Sequence, residues 1–436
     1  MDTIFALSSG KLPSGVAVIR VSGNEVQNII TSIRGKVPPA RMMAYGSLYS
    51  LEHEFLDSAL TVFFPAPNSF TGEDCVEFHL HGGKAVVARF LNELSKFDNC
   101  RIAEAGEFSK RAFANGKLDL TEAEGLADLI DAETESQRRL AVMGASGALA
   151  ELYREWRQEL LQARAMIEAE LDFVEEQDIP DSVSDRIWDK LKLLSSAIKK
   201  HVADGYRALA MRDGIKIVIA GAPNSGKSSI INRLAGRDVA IVTDEEGTTR
   251  DALEIRLILA GLPVLVTDTA GIRETANKVE KIGIDTALRR LQEADLILHI
   301  EDMSSPVEIT LPADNKAEIW RLGNKVDLVS GDSRKWPIQF SAKTGEGFEE
   351  FLNKLIDFCN SFSESLGDLV PARKRQFDLL EETISEIDSA LILKDLDLTL
   401  RAEHLRRASD MLGRITGDID VEDILDVIFS QFCVGK

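Results

Sequence analysis

The sequence is poor in the features that mark secreted, membrane-bound and metal-clustered proteins. Its 436 residues include only four cysteines, and none of them forms a Cys-x-x-Cys pair. This usage predicts neither a disulfide framework nor a zinc knuckle. The chain has no run of about 18 apolar residues and no basic N-terminal start. We therefore expect no membrane span and no signal peptide, and we predict a cytoplasmic protein.

Positive charge is also scarce. The chain has 72 acidic residues against 51 lysines and arginines, which gives a net charge of −21 and an isoelectric point near 4.8. This balance argues against broad nucleic-acid binding through phosphate contacts. Any RNA must therefore be bound by a local basic patch or through a partner. The length and a hydrophobic fraction of 44% still support two to four domains with ordinary cores.

The spacing of apolar residues divides the chain into four segments. Residues 1–117 mix short alternating runs with turn residues, which predicts an α+β domain. Residues 118–213 carry helical stripes, and the capping-box sequence Thr121–Glu124 is expected to begin the first helix. Strands alternate with helices over 214–360, which predicts a parallel sheet in an α/β domain. Helical spacing resumes over 361–436, and we infer that both helical segments pack together around the inserted α/β domain.

Residues 221–228 read Gly-Ala-Pro-Asn-Ser-Gly-Lys-Ser, a phosphate-binding loop between a predicted strand and a predicted helix. In this context, backbone N–H groups can surround phosphate oxygens at the start of a helix. Lys227 is expected to contact the β- and γ-phosphates, and the Ser228 hydroxyl is expected to ligate Mg²⁺. The loop therefore predicts that the chain binds a nucleoside triphosphate.

Four further motifs follow in the order that a guanine-nucleotide domain requires. Gly247–Asp251 supplies a threonine that can ligate Mg²⁺, and Asp268–Gly271 places an aspartate near the metal. Asn324–Asp327 ends in a carboxylate that accepts from two donors which guanine has and adenine lacks. Ser341–Lys343 can contact the base O6 through backbone N–H groups. Together the motifs predict GTP rather than ATP, bound by a Ras-like α/β domain.

The residue after Gly271 is Ile272, where Ras-like switches carry a glutamine that orients water. Because an alkyl side chain cannot orient water, hydrolysis needs another polar group and another positive charge. Asn224 could bind a monovalent cation in place of an arginine finger, and Glu280 could orient water through an intermediary. The alternatives are a simple turn residue at Asn224 and a solvated helix residue at Glu280.

Candidate sites also lie near both ends of the chain. Glu77, His79 and His81 alternate along a predicted strand and should share one face, which favours a polar ligand surface over a metal site. Cys433 is fourth from the end, but the glycine and lysine that follow do not fit a prenylation box. The pattern leaves two interpretations of this cysteine, a packed and inert residue or a reactive thiol.

Several segments of the chain match one known family, over essentially the whole length. They are Asp2–Ile4, Val18–Gly23, Ser69–Asp74, His79–Gly83, Gly106–Phe108, Asn115–Leu120, the GTPase motifs and the terminal Cys-Val-Gly-Lys. Together they resemble the tRNA modification GTPase family MnmE, also called TrmE. The resemblance implies a homodimer joined through a folate-binding N-terminal domain. It also implies a helical domain that is interrupted by the GTPase domain.

The resemblance implies roles for individual residues. Glu280 matches the family's water-orienting glutamate, and Cys433 matches a cysteine that is a candidate catalytic residue. The implied K⁺ ligands are Asn224, Thr243, Glu245 and Thr248, and the Mg²⁺ ligands are Ser228 and Thr249. The implied site for 5-formyl- or 5,10-methylene-tetrahydrofolate comprises Arg20, Glu77, Lys117 and Lys436. The expected GTP-binding residues are Asn224, Ser225, Gly226, Lys227, Ser228, Ser229, Thr243, Asp244, Glu245, Glu246, Gly247, Thr248, Thr249, Asp268, Thr269, Ala270, Gly271, Asn324, Lys325, Asp327, Ser341, Ala342 and Lys343.

The family is expected to act with a flavin-dependent partner, MnmG (GidA), in a heterotetramer in which only the partner holds FAD. Together they add an aminomethyl or carboxymethylaminomethyl group to carbon 5 of the wobble uridine of certain tRNAs, using a tetrahydrofolate one-carbon unit. GTP hydrolysis is expected to drive G-domain dimerisation and conformational change. The alternative is a regulatory, RNA-associated GTPase of ribosome assembly with no chemistry on the base. Arg20, Glu77 and Lys117, beside the terminal Cys-Val-Gly-Lys, favour the first interpretation.

Overall fold

The chain forms two compact units in a computed structural model. The described residues are 2–172, 182–236, 254–268, 289–307, 317–329, 332–363, 369–392, 398–419, 422–430, 432 and 434–435. The first unit comprises Met1–Ile130, Gly144–Leu191 and Ser385–Lys436, and the second comprises Asp131–Met143 and Lys192–Ile384. Within the described ranges, no helix has both the length and the apolar character that crossing a bilayer requires.

The N-terminal part of the first unit is a six-stranded sheet with the order β3-β4-β5-β2-β1-β6. All neighbours pair antiparallel except β1 and β6, which are parallel. Phe5, Ile19, Phe78 and Phe90 lie in the core between the sheet and two helices. The strands are β1 Thr3–Leu7, β2 Ser14–Ser22, β3 Ala44–Tyr49, β4 Phe55–Phe64, β5 Cys75–Gly82 and β6 Cys100–Ile102, and the helices are α1 Val26–Arg34 and α2 Lys84–Leu94.

Helices dominate the segment that follows. They are α3 Glu107–Ala114, α4 Leu120–Asp131, α5 Glu135–Gly144, α6 Ala148–Asp172 and α7 Ser182–Asp213. The capping box predicted at Thr121–Glu124 is wrong by two residues. The backbone N–H of Asp119 donates to Glu122 Oε2 (2.8 Å), and the N–H of Glu122 donates to Asp119 Oδ1 (2.9 Å). An aspartate caps a helix as well as a threonine does, so the same reciprocal pattern begins earlier.

The predicted pairing of the two helical segments is confirmed, because α6 packs along a helix from the C-terminal part of the chain. Tyr153 and Leu160 of α6 are fully buried, as are Leu405 and Leu412 of the partner helix. Arg154 adds an ion pair with Asp418 (3.3 Å). The C-terminal helices are α10 Lys374–Ile392, α11 Leu398–Thr416 and α12 Glu422–Phe429, and α11 is the one that contacts α6.

The second sheet has the order β12-β11-β10-β7-β9-β8. Its strands are β7 Ile215–Gly221, β8 Glu254–Leu259, β9 Leu262–Asp268, β10 Leu296–Asp302, β11 Glu318–Asn324 and β12 Ile338–Phe340, with helices α8 Lys227–Ala235 and α9 Phe348–Ser363. The predicted parallel sheet is confirmed except at β8, which pairs antiparallel with β9. Only Ala260 and Gly261 join these two strands, both at positive φ, and a two-residue turn permits only an antiparallel hairpin.

The predicted fold class, a multidomain α+β and α/β protein with a Ras-like sheet inserted into helices, is confirmed. The inserted sheet interrupts helices that pack together in the first unit. The predicted domain boundaries at 117/118, 213/214 and 360/361 stay predictions.

Gly125 tests the close packing of α4. A Cβ at this position would overlap the backbone nitrogen of Ala145, which cannot move aside as a flexible side chain would. We expect Gly125→Ala to destabilise the first unit by about 2 kcal/mol, or roughly 4–8 °C in melting temperature. Differential scanning calorimetry measures this shift. Gly144→Ala is the matched control, since its Cβ would meet the nearest atom, Gly125 Cα, at 3.5 Å. Equal melting temperatures for the two variants would contradict the expectation.

Candidate functional site

The phosphate-binding loop joins β7 to α8, as predicted. Gly226 precedes the helix with φ at 102°, a left-handed conformation that glycine adopts without strain. Lys227 is only 5% exposed, and its Nζ donates to the carbonyl oxygens of Gly221 (2.9 Å) and Ala222 (3.0 Å). The lysine side chain therefore crosses the loop and contacts the two residues at its start. The first N–H groups of α8 have no acceptor within the helix. This geometry suits a phosphate group.

Asn324 links three of the GTPase motifs through one side-chain amide. Its Nδ2 donates to the carbonyl oxygen of Ser225 in the phosphate loop (2.8 Å). Its Oδ1 accepts from the backbone N–H groups of Lys325 (2.8 Å) and Ala342 (3.0 Å). The side chain is 2% exposed, so water does not compete for these bonds. The motif Asn324–Asp327 predicts base recognition, but no signal in the sequence indicates that Asn324 also connects the loops.

The segment Ser341–Lys343 lies beside the end of α8. Arg233 Nε donates to the Ala342 carbonyl (2.9 Å), and Arg233 Nη2 donates to the Lys343 carbonyl (3.0 Å). The guanidinium also lies 5.5 Å from the centre of the Phe348 ring. The backbone N–H groups of Ser341 and Ala342 already donate to the Glu346 carbonyl (2.8 Å) and to Asn324 Oδ1 (3.0 Å), so the contact of this segment with the base O6 stays a prediction. Arg233 was not a candidate from the sequence, because a lone arginine on a helix carries no motif.

The base-recognition motif is held from β10. Lys325, at a positive φ of 70°, donates from Nζ to Asp302 Oδ2 at 2.5 Å. Burial alone would raise the pKa of the Asp302 carboxyl, but the hydrogen bonds from Lys325 and Ser304 hold that pKa below its usual range. Asp327, the predicted guanine reader, is exposed, and the pair Lys325–Asp302 positions its turn. Recognition of guanine by Asp327 stays a prediction.

The structure places two predicted magnesium-site residues side by side. Asp268 ends β9 and is 1% exposed, and the Ser228 hydroxyl lies 3.4 Å from its Oδ2 atom. A hydroxyl and a carboxylate next to a phosphate loop form the hard oxygen donor set that Mg²⁺ prefers. These residues therefore fit the ion. Ser229, in the first turn of α8, is exposed beside them.

Asn224 stands at the apex of the phosphate loop with its side chain exposed and its backbone at φ 65°. Asparagine tolerates this left-handed conformation better than most residues, so the geometry agrees with both the turn and the cation interpretation. The other predicted residues around the γ-phosphate, the cation and the chain end lie outside the described residues: Thr243, Asp244, Glu245, Glu246, Gly247, Thr248, Thr249, Thr269, Ala270, Gly271, Glu280, Cys433 and Lys436.

A second candidate site lies on the N-terminal sheet. Arg20 of β2 is directly opposite Glu77 of β5, and its Nη2 and Nε atoms lie 2.9 Å and 3.1 Å from Glu77 Oε1. The guanidinium lies 5.1 Å from the Phe70 ring centre and 5.8 Å from that of Phe108. Glu77, His79 and His81 alternate with buried residues along β5, so their predicted common face is confirmed. Among the described residues, no group of three or more His, Cys, Asp or Glu side chains forms a metal-binding cluster.

The turn Ser69–Asp74 connects this pair to Lys117. The aliphatic part of Lys117 packs against Gly72, where a Cβ would lie 3.3 Å from Lys117 Cε. Asn115 Nδ2 also donates to the carbonyl of Thr71 in the same turn (2.7 Å). Phe70 of the turn faces Arg20, so the turn lies between Lys117 and the Arg20–Glu77 pair.

The C-terminal segment lies against the same sheet. Ser8 Oγ donates to the carbonyl of Gly435 (2.8 Å), and Val434 forms an antiparallel bridge with Ala105. Ser8 follows β1, the strand on which Ala6 pairs with Arg20 of β2. The two ends of the chain therefore meet near the Arg20–Glu77 pair, which the spacing of residues in the sequence could not show.

Comparison with known proteins decides the family. A family model for the GTP-binding protein TrmE N-terminus matches residues 3–117, and a model for the MnmE helical domain matches residues 120–433. The chain belongs to the MnmE family. The predicted resemblance to MnmE (TrmE) is thereby confirmed over nearly the whole chain.

Full-length relatives agree with this assignment. Two tRNA modification GTPases MnmE, from Bartonella tribocorum and Bartonella bacilliformis, are each 64% identical over 436 residues, which cover 100% of both chains. An MnmE from Brucella anthropi is 57% identical over 435 residues, covering 100% of this chain and 98% of its own. Among solved structures, the G domain of the T. maritima FeoB iron transporter matches 33% of this chain and 98% of its own, with 24% identity and a TM-score of 0.25. The MnmE relatives therefore match this chain from end to end.

Gly226 tests the link between the phosphate loop and Asn324. A Cβ at Gly226 would overlap Asn324 Nδ2, and its φ of 102° strains any other residue. We expect Gly226→Ala to weaken GTP binding about 100-fold, or roughly 3 kcal/mol. Titration with a fluorescent GTP analogue measures the affinity. Gly236→Ala, at the other end of α8 with φ at −79°, should bind GTP like the wild type. An unchanged affinity for Gly226→Ala would show that the contact is unimportant.

Proposed function

We propose that the protein is a K⁺-dependent GTPase that acts with MnmG (GidA) to modify carbon 5 of the wobble uridine of certain tRNAs. GTP hydrolase activity itself is confirmed by membership of the MnmE family. The observation that carries the wider proposal is the meeting of the chain ends. Gly435 lies at the end of β1, next to the strands that carry Arg20 and Glu77, in a chain that also holds a GTP site.

In the GTP site, different residues contribute phosphate binding, base selection, Mg²⁺ binding and the connection of the loops. Lys227 and the start of α8 bind the phosphates, while Asp327 selects guanine. Ser228, next to Asp268, holds Mg²⁺, which neutralises phosphate charge when bound. Asn324 keeps the phosphate loop and the base-binding loops in one arrangement. Binding of the nucleotide therefore favours one defined arrangement of these loops.

Hydrolysis requires a positive charge in addition to that of Lys227, which binds the phosphates. Lys227 Nζ also donates to two loop carbonyls, and Ile272 replaces the usual glutamine. We assign Asn224, with Thr243, Glu245 and Thr248, to a K⁺ ion that supplies this charge when bound. We assign Glu280 to orienting the attacking water, and Thr249 to Mg²⁺. The exposed position of Asn224 at the loop apex supports the first assignment.

The N-terminal sheet supports a one-carbon site. Glu77 can accept hydrogen bonds from the amino groups of a pterin, and Arg20 is held beside it between two aromatic rings. Lys117 and Lys436 add positive charge for the carboxylates of the ligand's tail. A bound 5-formyl- or 5,10-methylene-tetrahydrofolate supplies the carbon that is transferred. The half-buried Arg20 and Glu77, with the Phe70 and Phe108 rings nearby, fit such a ligand. Cys433 lies three residues before Lys436 in the sequence as a candidate nucleophile.

An exposed apolar edge supports a homodimer that is joined through the N-terminal domain. β3 lies at the edge of its sheet, and Tyr45 on this strand is 71% exposed. Monomeric proteins rarely leave such a patch uncovered. The exposed apolar side chains on and beside β3 are Met42, Met43, Tyr45, Tyr49, Leu51 and Phe55. We further propose a heterotetramer with MnmG, in which FAD is bound only to the partner, and a cytoplasmic location where tRNA and GTP are available.

The alternative function is a regulatory GTPase of ribosome assembly with no chemistry on the base. The GTP site alone suits both functions. The Arg20–Glu77 pair and the placement of Val434 and Gly435 favour tRNA modification, because a pure switch has no need for a second polar site at the chain ends.

Asn224→Gly tests the cation. Glycine keeps the left-handed backbone but removes the side-chain oxygen. We expect the wild type to hydrolyse GTP on the order of 100-fold faster in K⁺ than in Na⁺ buffer, and the variant to lose this difference. Phosphate release under saturating GTP measures the rates. Equal wild-type rates in the two buffers would overturn the K⁺ assignment. Normal hydrolysis by Glu280→Ala would separately overturn the role of Glu280.

Arg20→Gln tests the one-carbon site. Loss of a charged hydrogen-bonding group should weaken tetrahydrofolate binding roughly 10–100-fold and leave GTP hydrolysis unchanged. Nucleoside analysis of tRNA from a deletion strain that carries the variant should show unmodified wobble uridine. Lys96→Gln, which removes another paired charge from the same domain, should restore modification. Normal wobble modification in the deletion strain without any complementing gene would refute the proposed function.

A further inference from the structure

The turn Ser69–Asp74 lies over one end of the N-terminal sheet and is bound to it by buried side chains. Its Thr71 Oγ1 lies 2.6 Å from Ser22 Oγ and 3.1 Å from Cys75 Sγ. None of these three residues is more than 3% exposed. Ser22 of β2 and Cys75 of β5 are directly opposite each other, and each lies two residues from a member of the Arg20–Glu77 pair. Because residues two apart on a strand share a face, the turn contacts the face that carries the candidate one-carbon site.

A carboxylate binds the second half of the turn to the domain. Glu73 Oε2 accepts from the Ser22 hydroxyl (2.6 Å), and both carboxylate oxygens of Glu73 lie 3.2 Å from Arg111 Nη1. The side chains of Glu73 and Arg111 are only 13% and 12% exposed. Burial alone would lower the pKa of Arg111, but the charges of Glu73 and its neighbouring carboxylates raise that pKa above its usual value. Exposed ion pairs contribute little, whereas breaking a buried pair such as this one leaves an uncompensated charge.

Arg111 is also bound by groups outside the turn. Its Nη1 donates to the carbonyl oxygen of Asp2 (2.8 Å), and its Nη2 donates to Asp2 Oδ1 (2.6 Å) and Glu107 Oε1 (3.1 Å). The Glu107 carboxylate also binds Arg101 of β6 (2.6 Å). Asp2 precedes β1, and Glu107 begins α3. Glu73 therefore connects the turn to three elements of the domain through one guanidinium group.

Phe70 is the residue of the turn that faces the candidate site. Its ring centre lies 5.1 Å from Arg20 Cζ. Arg20 directs both Nε and Nη2 to Glu77 Oε1, so the Oε2 atom is not used by the guanidinium. The ring occupies the space into which the Arg20 side chain would otherwise swing away from Glu77. On its other side, the ring packs against the apolar cluster of Ile4, Ala6, Ala103 and Phe108.

We propose that Glu73 is a positioning residue of the one-carbon site, acting through the turn and Phe70 on Arg20. The inference rests on the proposed function, which assigns Arg20 and Glu77 to a tetrahydrofolate ligand. With Phe70 in place, Arg20 stays on Glu77 Oε1, and Oε2 remains as an acceptor for an amino group of the pterin. When the turn is not held, ligand binding must also order it, which lowers the affinity.

A purely structural role for Glu73 is the competing interpretation. Buried polar networks also rigidify domains that bind no ligand. The position of the turn favours a role in the site, because both of its sides contact residues assigned to the ligand. Phe70 faces Arg20, and the aliphatic part of Lys117 packs against Gly72. The two roles predict different measurements, since a structural role changes the melting temperature and leaves the affinity of the folded protein unchanged.

The test measures binding of 5-formyltetrahydrofolate to the full-length protein by isothermal titration calorimetry. Glu73→Gln keeps the shape of the side chain and an acceptor for Ser22, but removes the charge that binds Arg111. We expect Kd to rise about 10-fold, as for the loss of one cation–π contact in a partly buried site. The kcat and KM of GTP hydrolysis should match the wild type, since the phosphate-binding loop lies in the other compact unit.

Glu93→Gln is the matched control. Glu93 is a buried carboxylate of the same domain that binds two cations, Arg89 (2.5 Å) and Lys96 (3.0 Å). It belongs to α2, which packs on the sheet face opposite to the one that carries Arg20. We expect this variant to melt at least as far below the wild type as Glu73→Gln does, and to bind 5-formyltetrahydrofolate with the wild-type Kd.

Phe70→Leu tests the step from the turn to Arg20 without changing Glu73. Leucine keeps the apolar packing and removes the ring, so we again expect Kd to rise about 10-fold. In the double variant Phe70→Leu/Glu73→Gln the total rise should stay near 10-fold, because both changes act on the same step. This arm also gives an answer if Glu73→Gln does not fold.

Each outcome has one meaning. The expected rises, with a wild-type Kd for Glu93→Gln, support the inference. A wild-type Kd for Glu73→Gln or Phe70→Leu overturns it, and so does an equal rise in Glu93→Gln or a multiplicative effect in the double variant. If Arg20→Gln loses affinity but Glu73→Gln does not, the one-carbon site stands and only the inference fails. A wild type that does not bind 5-formyltetrahydrofolate overturns the proposed site itself, and the inference with it.

Discussion

The GTP site depends on a single buried amide. Asn324 donates to Ser225 in the phosphate loop and accepts from Lys325 and Ala342 in the two base-binding loops. The two base-binding loops follow the paired strands β11 and β12, whereas the phosphate loop follows β7, which β10 separates from them. With the side chain 2% exposed, each bond forms where water cannot replace it, so a lost partner would leave a buried polar atom unsatisfied. The loops that are predicted to bind the phosphates and the base are therefore held together by one side chain.

The candidate site around the Arg20–Glu77 pair lies where segments from the two ends of the chain meet. β1 pairs with β2, which carries Arg20, and the residue after β1 holds the carbonyl of Gly435. Gly435 has a φ of 98°, and a Cβ there would overlap the Leu7 carbonyl, so the C-terminal segment fits against β1 only with a glycine. This explains in physical terms why glycine precedes the terminal lysine. It also places the C-terminal segment near the Arg20–Glu77 pair, while the phosphate-binding loop lies in the other compact unit.

Much of the fold followed from local patterns. The alternation of Glu77, His79 and His81 predicted their shared face, and the strand-loop-helix context of Lys227 predicted the phosphate loop. Two local predictions needed correction. The first helix of the helical segment is capped by Asp119 rather than Thr121, because two capping boxes overlap in the sequence. The strand before Leu262 is antiparallel, because only two residues separate it from the next strand.

The sequence by itself determined the nucleotide, the order of domains and the family, since each depends on residues that lie close together in the chain. Only the tertiary structure decided which distant residues share a hydrogen bond. Ser225 and Ala342 meet through Asn324, Arg233 binds the carbonyls of Ala342 and Lys343, and Ser8 binds Gly435. No periodicity records such contacts, because they depend on sheet order and on how strands cross.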